Sequence, residues 1–200
     1  MQSVTNKILK RIMGKGRGSV VVPKDFLDLG SRAAVDQALS RLVKAGTIRR
    51  LKWGVYDYPR QHDRLGMLSA SPDHVAKAIA DRDGSKLQIS GARAANMLGL
   101  STQVPAKYVY LTDSSSKNIT VGNRTVSLRR AVPGNLIGAG QTSGMVFQAL
   151  RYLGKSGVDS HAIITLRSKL SPSDKKALGK AAKDMPAWMQ DVVVQVDQAA

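Results

Sequence analysis

Between Ser31 and Lys44 the apolar residues fall at Val35, Ala38, Leu39, Leu42 and Val43, the spacing of one helical stripe. The opposite face holds Ala33, Gln37, Ser40 and Lys44, flanked by Asp36 and Arg41, and carries no long hydrophobe. Ser31, after the turn residue Gly30, is placed to cap this helix through its hydroxyl, and Ala45-Gly46-Thr47 stops it. Residues Ile48 to Tyr58 are rich in β-formers and are split by Lys52-Trp53-Gly54, which predicts a hairpin with a basic turn. Upstream, Val4, Ile8 and Ile12 mark a helix over Ser3–Met13, Ser19–Val22 a short strand, and Pro23–Leu29 a second helix with proline in its first turn. The order helix, strand, helix, helix, hairpin is that of a winged helix-turn-helix, with the helix beginning at Ser31 in the recognition position. The competing reading is an amphipathic helix and hairpin in some other α+β domain.

The hydrophobic pattern breaks over Gln61–Pro72, which places a domain boundary near Leu65 and divides the chain into residues 1–64 and 65–200. The second part alternates element types. A helix over Asp73–Arg82 is followed by strand Leu87–Ile89, small-residue helix Gly91–Leu98 and strand Lys107–Thr112. Ile119–Val121 and Thr125–Arg130 pair as a hairpin across Gly122-Asn123. Three helices follow, over Thr142–Leu153, Ser160–Lys169 and Ser173–Lys183. Pro186–Val196 reads as a fourth helix through Trp188 or, on its Val192-Val193-Val194 run, as a strand. The expected class is α+β: an N-terminal winged helix-turn-helix, then a mixed α/β second domain with a helical C-terminal part.

Charge sharpens this picture. The net charge is +17, with 31 Lys and Arg against 14 acidic residues, all of them Asp. A protein so basic is expected to meet a polyanion. The surplus splits almost evenly at Arg64, so the shorter first part carries the denser charge. With no cysteine there is neither a disulfide framework nor a thiolate metal site. No apolar run approaches the ~20 residues of a membrane span, and the N-terminus lacks a signal-peptide core. The expected location is cytoplasmic.

Catalytic chemistry finds little footing. His62, His74 and His161 stand apart, none with a partner at metal-ligand spacing. Gly14–Gly18 (GKGRG) is a basic turn with no strand leading into it and no Lys-Ser/Thr after it. Gly138–Gly144 (GAGQTSG) fits neither common phosphate-loop pattern. It reads either as an ordinary capped helix start or as a helix N-terminus, with Thr142 and Ser143, able to hold an anion. No enzyme, cofactor or metal is expected.

The nucleic-acid signal is stronger. Gln37 is the leading candidate for base readout, since its amide can pair bidentately with adenine. Ser31, Ala33, Ser40 and Arg41 lie near it on the helix, with Arg32 at the groove edge. Arg49, Arg50 and Lys52, beside Trp53, are placed to meet phosphates, and Arg60 adds to their charge. In the second part Arg93, Lys107, Arg129 and Arg130 are candidates for a further basic surface, and Arg151, Lys155, Arg167 and Lys169 lie on or near the C-terminal helices; the bland reading is that such residues solvate their elements. With few aromatics, base stacking on single strands is poorly supported.

The segments VDQALSRLVKAGTIRRLKWGVYDYPR and GARAANMLGLSTQVPAKYVYLTD resemble the AbiEi-type antitoxins, transcriptional regulators of abortive-infection (type IV) toxin–antitoxin systems. The resemblance spans most of Ser3 to Arg130; its most specific parts are IRRLKWGVYDYPR and the segment from Ala94 to Pro105. It implies an N-terminal winged helix that represses its own operon in phage defence. It further implies a second domain that counteracts a nucleotidyltransferase toxin without a stable complex. A single recognition helix and no coiled-coil heptads lead us to expect a monomer in solution that binds repeated half-sites in its own promoter cooperatively. The rival expectation is an RNA-binding or nucleic-acid-processing factor that uses the basic second domain.

Overall fold

The structure, a computed structural model, describes residues 3–198. It is a mixed α+β chain that divides into two compact units, one comprising residues up to Gly84 together with Asn118–Val126, the other comprising Ser85–Lys117 and the chain from Ser127.

The first unit opens with α1 (Val4–Lys15), capped where the Ser3 hydroxyl accepts the Asn6 N–H at 3.3 Å. Strand β1 (Val20–Val21), a 3-10 turn (Pro23–Phe26), α2 (Arg32–Lys44), β2 (Arg49–Lys52) and β3 (Val55–Asp57) follow. The three strands form one antiparallel sheet in the order β1-β3-β2. Ile8, Ile12, Val21, Phe26, Val35 and Leu39 are fully buried together, so the helical stripes read from the sequence are the core. The helix expected over Pro23–Leu29 is shorter and tighter than its pattern implied. The Asp25 carboxylate reaches back to the Val22 N–H at 3.1 Å while its own N–H donates to the Val22 carbonyl, closing an i→i+3 turn.

Gln61–Pro72 contains a small hairpin, β4 (Gln61–His62) paired antiparallel with β5 (Gly66–Met67). All of its strand residues are exposed, so no apolar alternation could announce it. Helix α3 (Pro72–Asp83) buries Val75, Ala76 and Ile79 and packs against β1 and β3. For that reason it belongs to the first unit, and the compact division falls after Gly84 rather than at Leu65.

In the second part of the chain β6 (Leu87–Ile89), β7 (Tyr108–Thr112), β8 (Lys117–Val121) and β9 (Arg124–Arg130) lie in the order β6-β7-β9-β8. The helices are α4 (Gly91–Met97), α5 (Thr142–Leu153), α6 (Ser160–Lys169), α7 (Pro172–Ala182) and α8 (Ala187–Asp197). Their core gathers Ala94, Phe147, Leu150, Leu166, Leu178 and Met189. Helices α4 and α5 approach closely at Gly91, where a Cβ would fall 2.7 Å from both the Gln148 carbonyl oxygen and the Tyr152 Cβ. The Val192–Val194 run is helical: Met189, Val192, Val193 and Val196 are buried at helix spacing while Val194 faces out. Among the described residues no helix is long and apolar enough to cross a membrane.

Candidate nucleic-acid interface

Helix α2 presents two chemically distinct faces because its sequence alternates them at helical period. Val35, Ala38, Leu39 and Leu42 point into the core; Arg32, Ala33, Asp36, Gln37, Arg41 and Lys44 are exposed, and Ser40 is half-buried. The Ser31 hydroxyl accepts the Ala34 N–H at 3.3 Å and fixes the start of the helix. Arg32 donates to Asp36 one turn on at 2.8 Å, so its charge is partly spent within the helix. The outer face is therefore an open strip with one planar amide, Gln37, flanked by small side chains and by Arg41.

Strands β2 and β3 join through Trp53-Gly54, with Lys52 opposite Val55. Gly54 has φ +69°, a left-handed conformation that a side chain would strain. An irregularity in the register at Leu51 adds a residue to β2 and turns the hairpin end. Lys52 is exposed, and Trp53 is 79% exposed. The Arg50 guanidinium lies 5.1 Å from the Trp53 ring and 5.5 Å from the Tyr56 ring. Those contacts hold the cation beside two rings while Arg50 stays exposed, and an exposed guanidinium is suited to phosphate oxygens.

The four cations assigned to this region by sequence do not act alike. Arg50 and Lys52 remain exposed. Arg49 faces Asp57 across the sheet and forms a forked ion pair with it, at 3.1 and 2.6 Å, then donates to the Leu68 carbonyl at 2.6 Å. Asp57 is completely buried. An arginine so engaged holds the sheet together and is withdrawn from phosphate contact. Arg60 donates to the Arg17 carbonyl, and Arg17 lies 4.8 Å from the Tyr58 ring and donates to the Pro59 carbonyl. The GKGRG turn is thus stitched to the chain after β3, a structural use of its glycines and arginine.

Sequence reasoning missed Arg82. From α3 it donates to the Trp53 carbonyl at 3.1 Å and to Asp83 at 2.9 Å, which ties the β2–β3 turn to a helix expected in the other half of the chain. Nothing in local spacing announces a bond across 29 residues. Asp57 left a weak signal, as the lone acid among Val55, Tyr56 and Tyr58.

The second unit does not gather its four candidates. Arg93 is half-buried, stacked 5.1 and 5.6 Å from the Tyr108 and Tyr110 rings and donating to the Tyr110 hydroxyl at 2.6 Å. Arg129 and Arg130 are exposed at the end of β9, where the Ala131 N–H meets the Thr112 carbonyl at the far end of β7. Lys107 precedes the near end of β7. It therefore lies a strand length, roughly 16 Å at 3.3 Å per residue, from the Arg129-Arg130 pair. Among the described residues no group of three or more metal-ligating side chains occurs.

Over residues 7–178 the chain matches the family described as a family of unknown function, DUF6088, and it belongs to that family. Among solved structures it is similar to the RV2827C protein from Mycobacterium tuberculosis at 14% identity and a TM-score of 0.46, covering 98% of this chain and 78% of that one. No curated protein matches the chain.

Proposed function

We propose that the first unit is a winged helix-turn-helix that binds duplex DNA, with α2 in the major groove and the β2–β3 turn as the wing on the adjoining backbone. The observation that carries this reading is the pairing, within one unit, of an open α2 face centred on Gln37 with an exposed basic turn, Arg50-Lys52-Trp53. Gln37 reads a base, Arg41 and Lys44 lie along the groove, and Arg50 and Lys52 neutralise phosphates. The net charge of +17 suits a polyanionic partner.

The resemblance to AbiEi-type antitoxins extends the proposal. On this reading the protein represses its own promoter and its second unit counteracts a nucleotidyltransferase toxin, without catalysis of its own. One recognition helix contacts few base pairs, so the protein binds as a monomer to repeated half-sites and gains discrimination by cooperating on DNA. Titrating the intact chain onto its own promoter tests this. Fragments with two repeats are expected to fill at lower protein concentration and more steeply than fragments with one. Independent, equal binding to both, or to a scrambled fragment, would refute operator recognition.

A further inference from the structure

In the second unit, the N-terminal end of α5 opens onto a cleft of about 520 Å³ between the Gly138–Ser143 loop and α7. Its lining from α7 is Ser173, Lys176, Ala177, Lys180 and Ala181, a single helical stripe at i, i+3, i+4, i+7 and i+8. That stripe brings two cations to the cleft and no carboxylate. From the other side come Gly138, Gln141 and Ser143.

Two independent features point to an anion here. First, the N-cap residue Gln141 makes no side-chain cap, and α5 begins at the cleft with the positive end of its dipole. Second, Ser143 is 1% exposed, and its hydroxyl, among the cleft's lining, has no hydrogen-bond partner. A buried hydroxyl without a partner costs stability, and in a native fold it calls for an explanation. Glycine at 138 keeps a side chain off that buried oxygen: Gly138 has φ +62°, and a Cβ there would stand 2.5 Å from the Ser143 Oγ. Gly140 holds the loop in register by donating to the buried Gln88 side chain at 3.1 Å. One acid, Asp174, lies off the lysine stripe but reaches Thr142, the first residue of α5. Its carboxylate accepts from the Ser171 hydroxyl, the Thr142 hydroxyl and the Ser171 N–H, which together hold its pKa below the ordinary carboxylate value.

We propose that this cleft binds a terminal phosphate group, with the Ser143 hydroxyl and the first-turn N–H groups of α5 donating to its oxygens and Lys176 and Lys180 balancing its charge. The volume falls in the range of small-molecule sites, so the phosphate arrives either as the free ion or on a nucleotide. The site lies outside the proposed DNA-binding unit and stands independently of it.

The test uses the full chain in buffer free of phosphate and sulfate. Calorimetric titration and thermal unfolding follow inorganic phosphate, a nucleoside triphosphate and the unphosphorylated nucleoside, in the parent, in Ser143→Ala and in Lys176→Gln/Lys180→Gln. Phosphate is expected to raise the melting temperature of the parent, and the nucleoside to leave it unchanged. In Ser143→Ala the affinity falls tenfold or more, the effect of losing one hydrogen bond to a charged group. The ligand-free melting temperature of Ser143→Ala stays level or rises, because an unpaired buried hydroxyl has been removed. The double lysine variant loses affinity by a similar factor. A triphosphate that binds much more tightly than phosphate identifies a nucleotide as the source; equal binding identifies the free ion. The proposal is overturned by a parent that responds to neither, by undiminished binding in both variants, by Ser143→Ala melting lower without ligand, or by displacement with duplex DNA alone.

Discussion

Arg49→Ala separates the architectural from the exposed cations of the β2–β3 hairpin. The substitution deletes both N–H donors to Asp57 and the donor to the Leu68 carbonyl, and strands a carboxylate that is 0% exposed. Removing one partner of a buried ion pair costs about 3–5 kcal/mol. Arg49 is itself 31% exposed, so water reaches the vacated side and the lower figure applies. About 3 kcal/mol lowers the melting temperature of a chain this size by roughly 6–12 °C. Arg50→Ala removes two ring contacts at an exposed position and is expected to stay within about 0.5 kcal/mol of the parent. Urea unfolding followed by far-ultraviolet circular dichroism measures both. Replacing the pair together, as Arg49→Met with Asp57→Leu, should recover most of the loss, since the uncompensated charge is then gone. Equal small effects of Arg49→Ala and Arg50→Ala would refute the assignment of Arg49 to the core, as would a double variant no more stable than Arg49→Ala alone.

Two further outcomes follow from other contacts. Asp28 takes a forked pair of hydrogen bonds from Arg11, both 2.7 Å, which hold its pKa below the ordinary value of 3.8. A depressed carboxylate stabilises the fold above its unfolded pKa and loses that contribution as the pH falls through the folded value. Acid unfolding should therefore be less steep in Asp28→Asn, and the difference should shrink in high salt because the pair is exposed; superimposable acid limbs at low salt would contradict this. Gly91→Ala places a methyl against the Gln148 carbonyl and Tyr152, so the second unit should lose about 1–3 kcal/mol in denaturant unfolding; an unchanged midpoint would mean that α4 and α5 can part without cost.

The elements with a buried stripe were legible in the sequence, and those without one were not. Thr142–Leu153 and Ser160–Lys169 emerge with the bounds that periodicity gives them, because each terminus carries its own stop signal in Gly154 or a cap in Asp159. The β4–β5 hairpin was invisible because all four of its strand residues are solvated. The division after Gly84 was invisible for a different reason. Helix α3 has an apolar face whichever unit it joins, and only tertiary packing decides that it covers β1 and β3. Within the candidate interface, the exposed face of α2 was readable from spacing alone. The roles of the arginines were not. Arg49 and Arg50 are neighbours on one strand, and alternation sends them to opposite sides of the sheet, one to Asp57 and one to Trp53 and Tyr56.

The central claim, that α2 reads bases while the β2–β3 turn holds the backbone, is tested most directly by fluorescence anisotropy of the parent, Gln37→Ala and Arg50→Ala on the promoter duplex and on a random duplex at several salt concentrations. Gln37→Ala should weaken promoter binding by roughly 1–3 kcal/mol while leaving random DNA unchanged. Arg50→Ala should weaken both duplexes alike and reduce the salt slope by about one. Equal losses on both duplexes from Gln37→Ala, or an unchanged salt slope in Arg50→Ala, would contradict the account.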